Sequence, residues 1–132
     1  MGKKVIVKPS PLVLPFPDYR LSANSRVDRR SLTDARRTAR MLGAAAVNLS
    51  GLTVLDAPLE MFIKICPPDN IHRDDDGVIS ALKSYRDGIF FALHVDDKRV
   101  RLSHVGFGKV IPGGAVYIWI EPLKVLPDWM ED

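Results

Sequence analysis

The tightest constraint on the fold is the run Leu59–Cys66, in which Leu59, Met61, Ile63 and Ile65 alternate with Glu60, Phe62, Lys64 and Cys66 until Pro67-Pro68 ends it. Successive side chains of an extended chain point to opposite faces, so this pattern predicts a strand with one apolar face. Two prolines cannot continue a hydrogen-bonded ladder. A strand of this kind needs a sheet to join and a layer to cover it. The flanking sequence supplies both. Val5-Ile6-Val7 and Leu12-Val13-Leu14, broken by Pro9 and Pro11 and closed by Pro15-Phe16-Pro17, read as an early strand running into a stiff turn. Asp18 to Arg30 reads as a basic loop. Ser31 with Asp34 forms a capping-box pattern ahead of an Ala- and Arg-rich run, which predicts a helix over 32–49 ending near Gly51. Val78, Leu82, Tyr85 and Ile89 recur at helical spacing, so a second helix begins just after Asp76, with Asp74 to Asp76 at its positive N-terminal end and Gly88 as a candidate stop. Val100–Val110 and Ala115–Ile120 read as two more strands, with Pro112-Gly113-Gly114 as a hairpin turn between them. Gly106-Phe107-Gly108 reads as a bulge. The order strand, helix, strand, helix, strand, strand, without repeats, gives one α+β domain with a small mixed sheet over residues 1–132.

The longest stretch without charge, Met41 to Leu55, is shorter than the roughly 18 apolar residues of a membrane span. Residues 1–6 do not form a signal peptide, and the expected location is the cytoplasm, with no membrane partner. Cys66 is the sole cysteine. It can form no internal disulfide, and its aliphatic neighbours make it a structural thiol. The net charge of +3 conceals a segregation. Residues 1–40 hold ten basic and three acidic side chains (+7), residues 41–97 four basic and nine acidic (−5), and the remainder is near balance (+1). Lys and Arg grip phosphates, while crowded carboxylates repel one another unless a cation joins them. Together these suggest metal-dependent work on a polyanion.

Asp74-Asp75-Asp76 and Asp96-Asp97 are the dense carboxylate sets. Hard oxygen donors of this type suit Mg²⁺, with Mn²⁺ as an alternative. A calcium loop with Gly77 at its sixth position would begin at His72 and end at Lys83, neither of which fits. His72, His94 and His104 lack zinc-site spacing, and Ser10, Ser50 and Ser80 lie outside any nucleophile elbow. Tyr117 and Trp119 are candidates for base stacking, but alternation of a half-buried strand assigns one of them to the core. Arg36 and Arg40 stand one helical turn apart and can follow a phosphate backbone.

Leu14-Pro15-Phe16-Pro17, Pro67-Pro68-Asp69 leading to Arg73-Asp74-Asp75-Asp76, and Val95-Asp96-Asp97 followed by Val100 give the chain, over about residues 12–121, a pattern that resembles the RusA family of Holliday junction resolvases. The resemblance implies a homodimeric, Mg²⁺-dependent endonuclease acting on branched DNA, the four-way junction of recombination and repair. Carried over, Asp74, Asp76 and Asp97 are the metal-binding and catalytic carboxylates. The family's Asn after Asp-x-Asp is Gly77 here, and its Lys one turn into the helix is Ser80; Lys83, three residues on, takes that role. Arg26, Arg29, Arg30, Arg36, Arg37, Arg40 and Arg73 would hold the DNA arms, with recognition resting on shape and dimer symmetry. Two other readings are a non-catalytic DNA-binding protein with a structural Asp cluster, and an adaptor whose basic face meets an acidic protein. One geometric condition applies to the site. A helix from Gly77 to Leu93 spans roughly 25 Å, and four residues return at most ~14 Å, so Asp97 would then have to come from the partner subunit. A helix stopped at Gly88 would let one chain close its own site. Ile89, Phe90, Phe91 and Leu93 favour the longer helix.

Overall fold

The structure, a computed structural model, describes residues 10–23, 25–71, 73, 75–124 and 129. The early-strand residues Val5-Ile6-Val7 and the carboxylate Asp74 lie outside the described residues. Among the described residues four strands form one mixed sheet: β1 (Leu12–Leu14), β2 (Leu59–Cys66), β3 (Val100–Phe107) and β4 (Ala115–Pro122), in the order β1-β4-β2-β3. β4 runs antiparallel to both of its neighbours, with Leu12 opposite Ile118 and Met61 opposite Ile120, while β2 and β3 are parallel. The α+β class read from the sequence is the class of the molecule.

Among the described residues three helices accompany the sheet: α1 (Arg29–Ser50), α2 (Asp75–Ala81) and α3 (Lys83–Leu93). α1 starts three residues before the predicted helix, because the cap is Asp28 and not Ser31: its carboxylate accepts the Ser31 N–H at 2.7 Å. At the other end Gly51 takes φ +70° and its N–H closes on the Val47 carbonyl, the left-handed C-terminal stop that glycine permits. The second predicted helix is two pieces. It begins at Asp75, and around Leu82 the ladder tightens to a Leu82 N–H to Ile79 carbonyl bond before Arg86 resumes the ordinary spacing on Leu82. Gly88 does not stop it. α3 continues to Leu93 and ends at His94, in the left-handed region at φ 58°.

Gly88 serves packing instead. A Cβ there would overlap the Arg40 carbonyl oxygen and lie 2.7 Å from its carbon, and a Cβ on Gly43 would overlap the Tyr85 carbonyl oxygen. The two glycines let the backbones of α1 and α3 touch. Ala35, Ala39, Gly43 and Val47, recurring every fourth residue, form the buried stripe of α1. Ala39 and Val47 join Tyr85, Ile89 and Phe90 of α3 and the strand residues Leu59, Met61, Ile65, Val116 and Ile118 in one core on one face of the sheet. The opposite face carries Phe62, Lys64, His104, Tyr117 and Trp119.

The last two strands are not a hairpin. After β3 the Gly108 N–H bonds the Ile65 carbonyl and the Ile111 N–H bonds the Pro67 carbonyl, so the chain crosses the end of β2 before turning. Gly113 and Gly114, both at positive φ, then send β4 up the far side of β2. β3 pairs regularly through Lys64–Gly106 and Ile65–Phe107, and the register shift lies at Leu59/Glu60, not at the predicted 106–108 bulge. Tyr117 and Trp119, two residues apart, share one face with ring centroids 6.4 Å apart. Neither is the core residue that alternation was expected to select, because positions i and i+2 of a strand point the same way.

Candidate functional site

The acidic turn is set by sequence at two levels. Pro67-Pro68 ends β2, and Asp69 then folds the loop back on itself: its carboxylate accepts the Ile71 N–H at 3.0 Å and the Arg73 guanidinium at 2.8 Å. The Arg73 side chain beside Asp69, with the Ile71 N–H, holds its carboxyl below the usual carboxylate range. Arg73 also lies over the Phe16 ring, 5.1 Å from its centroid, and donates to the Ile71 carbonyl. The predicted phosphate-gripping Arg73 is therefore a half-buried clamp between the Pro15-Phe16-Pro17 turn and the acidic loop. In the sequence Asp69 stands only as part of a motif; an Asp directly after two prolines, at the start of a loop, is the turn-forming signal for its role.

Asp75 and Asp76 open α2, both exposed at the end where a helix presents free N–H groups. Two concavities flank them. One of about 250 Å³ is walled by Phe16, Asp69, Arg73, Asp75, Phe107 and Val110. The other, of about 280 Å³, lies between the Phe16–Ser25 segment and Gly77, Val78 and Ala81 of α2. Asp76, Ser80 and Lys83 are spaced i, i+4 and i+7, one stripe of a helix whose single tightened turn leaves it nearly continuous. Lys83 stands about 10 Å along the axis from Asp76 at 1.5 Å per residue. Ser80 itself is engaged: its hydroxyl donates to the Gly77 carbonyl and accepts the Ala23 N–H.

That last bond belongs to a bridge between acidic and basic ends. Asp18 opens a 3-10 turn (Tyr19–Leu21), and its carboxylate takes Arg20 in two side-chain hydrogen bonds, at 2.7 and 3.0 Å. The Arg20 guanidinium holds the Asp18 carboxyl below its ordinary range. Arg20 reaches on to the Ser31 hydroxyl in the first turn of α1, while Ala23 reaches Ser80 of α2. One loop thus ties the arginine-rich start of α1 to the acidic start of α2. Arg26, Arg29, Arg30, Arg36, Arg37 and Arg40 are all exposed. Arg29, Arg36 and Arg40 share a stripe, and Arg29, Arg30 and Arg37 line a hollow beside it with Thr33 and Asp34.

Asp97 is elsewhere. It opens a 3-10 turn (Asp97–Arg99) beyond α3, where Arg86 donates to its backbone carbonyl at 3.3 Å and lies 3.7 Å from its carboxylate. Asp96 caps that turn by accepting the Lys98 N–H, which lowers its pKa. Among the described residues no three Asp, Glu, His or Cys side chains are grouped to hold a metal ion. Asp75 and Asp76 are at one end of the α2–α3 rod, and Asp97 has folded back only as far as Arg86, ten residues from Asp76. Cys66 is buried at the end of β2, as expected of a structural thiol. Among the described residues no helix is long and apolar enough to cross a membrane.

No family model matches the chain. A protein of Xylella fastidiosa (strain Temecula1 / ATCC 700964), described as uncharacterized, is 36% identical over 97 residues, which cover 70% of this chain and 63% of that protein. The chain thus spans less than two thirds of the relative's length.

Proposed function

We propose that this chain is a Mg²⁺-dependent endonuclease that resolves four-way DNA junctions as a homodimer, in the manner of the RusA family it resembles. The observation that carries the reading is the loop joining the two charged ends. Through Arg20–Ser31 and Ala23–Ser80 it ties the arginine-rich start of α1 to the helix that the exposed carboxylates open. Phosphate contacts along α1 supply affinity without sequence information, and the acidic turn marks where the backbone would be cut. Asp74, Asp76 and Asp97 are the residues to hold the metal. Their hard oxygen donors fit Mg²⁺ or Mn²⁺, and the ion when bound supplies Lewis acidity and charge neutralisation for phosphodiester hydrolysis. Arg73, fixed by Asp69 and Phe16, keeps the loop before α2 in place. Lys83, on the Asp76 stripe, is set to offset charge on the phosphate. The test is cleavage of a labelled junction by the wild type and by Asp76→Asn. A structural Asp cluster on a non-catalytic DNA-binding protein predicts binding without metal-dependent cutting.

A further inference from the structure

The segment Phe16–Ser25 does not pack flat against α2. It is tied to α1 through Arg20 and Ser31 and to α2 through Ala23 and Ser80, and it leaves the cleft of about 280 Å³ that faces Gly77, Val78 and Ala81. Gly77 has no side chain and Ala81 a single methyl group, so the helix does not fill the gap. Ties on both sides keep the segment from closing it, which makes the cleft a preformed one. Its volume lies just under the roughly 300–1,000 Å³ of sites for drug-sized ligands, which is room for one small ring system.

We propose that this cleft receives one unstacked nucleobase of the bound DNA, held against Tyr19 and Phe16 and hydrogen-bonded by Ser25 and Asp18. Tyr19 is 74% exposed and stacks on no other ring among the described residues, so its ring is open to a guest. The Ser25 hydroxyl oxygen, in the cleft lining, is buried and has no hydrogen-bond partner among the described residues. A buried hydroxyl left unpaired costs the fold free energy and is uncommon. It can donate to a base edge or accept from one. The Asp18 carboxylate takes three bonds from Arg20, two at one oxygen and one at the other. A carboxylate offers about four acceptor positions, so one remains for an amino group.

Two features select a base as the guest. An apolar side chain would leave Ser25 and Asp18 unpaired, and a sugar or a free phosphate would leave the aromatic wall unused; a flat ring with a polar edge meets both. The cleft also has the right neighbour. Phe16 and Arg73 line it and line the second cleft, which contains Asp75, so they form a shared wall. A nucleotide lying across that wall sets its base on one side and its phosphate toward the acidic turn on the other. Taking a base out of its stack is least costly where it is already unpaired, so the cleft favours DNA with a base outside the duplex. The choice of ligand rests on the DNA part of the proposed function and is independent of cleavage.

Two labelled duplexes test it, one with a single bulged adenosine and the other with an abasic nucleotide at the same place, titrated in chelator so that nothing is cut. Their phosphates are equal in number, so backbone affinity cancels and the ratio of the two Kd values reports the base. The wild type is expected to bind the adenosine duplex roughly 5- to 150-fold more tightly, the range that one base stacked on an aromatic side chain supplies. Tyr19→Ala, at an exposed position, is expected to keep the circular dichroism of the wild type and lose most of that preference. Ser25→Ala is expected to lower the preference while Tm stays level or rises, because it removes an unpaired buried hydroxyl. Equal affinities in the wild type would overturn the proposal and leave the endonuclease reading standing, as would a preference that survives Tyr19→Ala and Ser25→Ala together. Binding to neither duplex would overturn both. A preference for the adenosine duplex in a protein that cuts no junction in Mg²⁺ would support the cleft and remove the endonuclease reading.

Discussion

Replacing Gly88 by alanine adds one methyl group where α1 and α3 touch. In an isolated helix the change would stabilise by ~1 kcal/mol, since glycine is the poorer helix former. Here the new Cβ would overlap the Arg40 carbonyl oxygen and sit 2.7 Å from its carbon and 2.9 Å from its Cα, all rigid backbone. Comfortable carbon contacts lie near ~3.5–4.0 Å, so the helices must part by about 1 Å, a gap that forfeits roughly a quarter to a half of each dispersion contact across it. Overpacking of this kind costs about 1–3 kcal/mol and occasionally more. Because the obstruction is rigid backbone the upper end of that range applies, and with the propensity gain subtracted a net loss of about 2 kcal/mol is expected. Unfolding entropy of ~2.1 cal/mol/K per residue converts that to a fall in Tm of about 7 °C for 132 residues. Thermal unfolding of Gly88→Ala beside the wild type measures it. A Tm equal to or above wild type would show that α1 and α3 do not cross at Gly43 and Gly88. The spacing of the helix that carries the arginines would then be set by something else.

Arg36→Ala with Arg40→Ala should weaken junction binding and shallow the plot of log affinity against log salt by about 1 per arginine; an unchanged slope would move the DNA contacts off α1. The buried Tyr85 hydroxyl donates to the Pro15 carbonyl at 2.9 Å, and burial, with Asp18 nearby, pushes its pKa up to about 12. Its neutral form is the folded form, so its stabilisation is complete below pH 10 and lost as pH rises from 10 through 12. Tyr85→Phe should cost about 1 kcal/mol at neutral pH and flatten that alkaline loss in a series of melts; equal alkaline slopes for the two proteins would refute the assignment. Mixing inactive Asp76→Asn with inactive Asp97→Asn chains should restore part of the cleavage if Asp97 comes from the partner, because half of the heterodimer's sites are then intact. A mixture that exchanges subunits and stays dead would place Asp97 in its own chain's site.

What the sequence disclosed was local. The alternation of Leu59–Cys66, the stop at Gly51 and the helical spacing of Val78 to Ile89 each report the conformation of the residues that carry them, and each appears in the fold. Pairing is not local. Pro112-Gly113-Gly114 does mark a reversal, but which edge the returning strand joins depends on the bonds from Gly108 and Ile111 to the end of β2, which no turn signal encodes. Gly88 leaves both a stop and a continued helix open in the sequence, and the helix runs to Leu93 as the apolar residues after it favour; what the glycine is for is set by a second helix 45 residues earlier in the chain. At the site, the composition located the acidic turn and the arginines. It did not reveal that Asp18 and Asp69 serve as clamps for Arg20 and Arg73, or that Arg86 is the side chain that meets Asp97, although the helix length did imply that Asp97 stays apart from Asp76.

The most direct measurement of the account is a labelled four-way junction incubated with the wild type and with Asp76→Asn, in Mg²⁺ and in chelator, with linear duplex of the same sequence alongside. The wild type should nick the junction symmetrically in Mg²⁺ and not in chelator, and leave the duplex intact. Asp76→Asn should bind the junction at least as tightly, having lost a charge that repels phosphate, and should not cut it. Cutting by Asp76→Asn in Mg²⁺, or a wild type that binds the junction and never cuts, would contradict it.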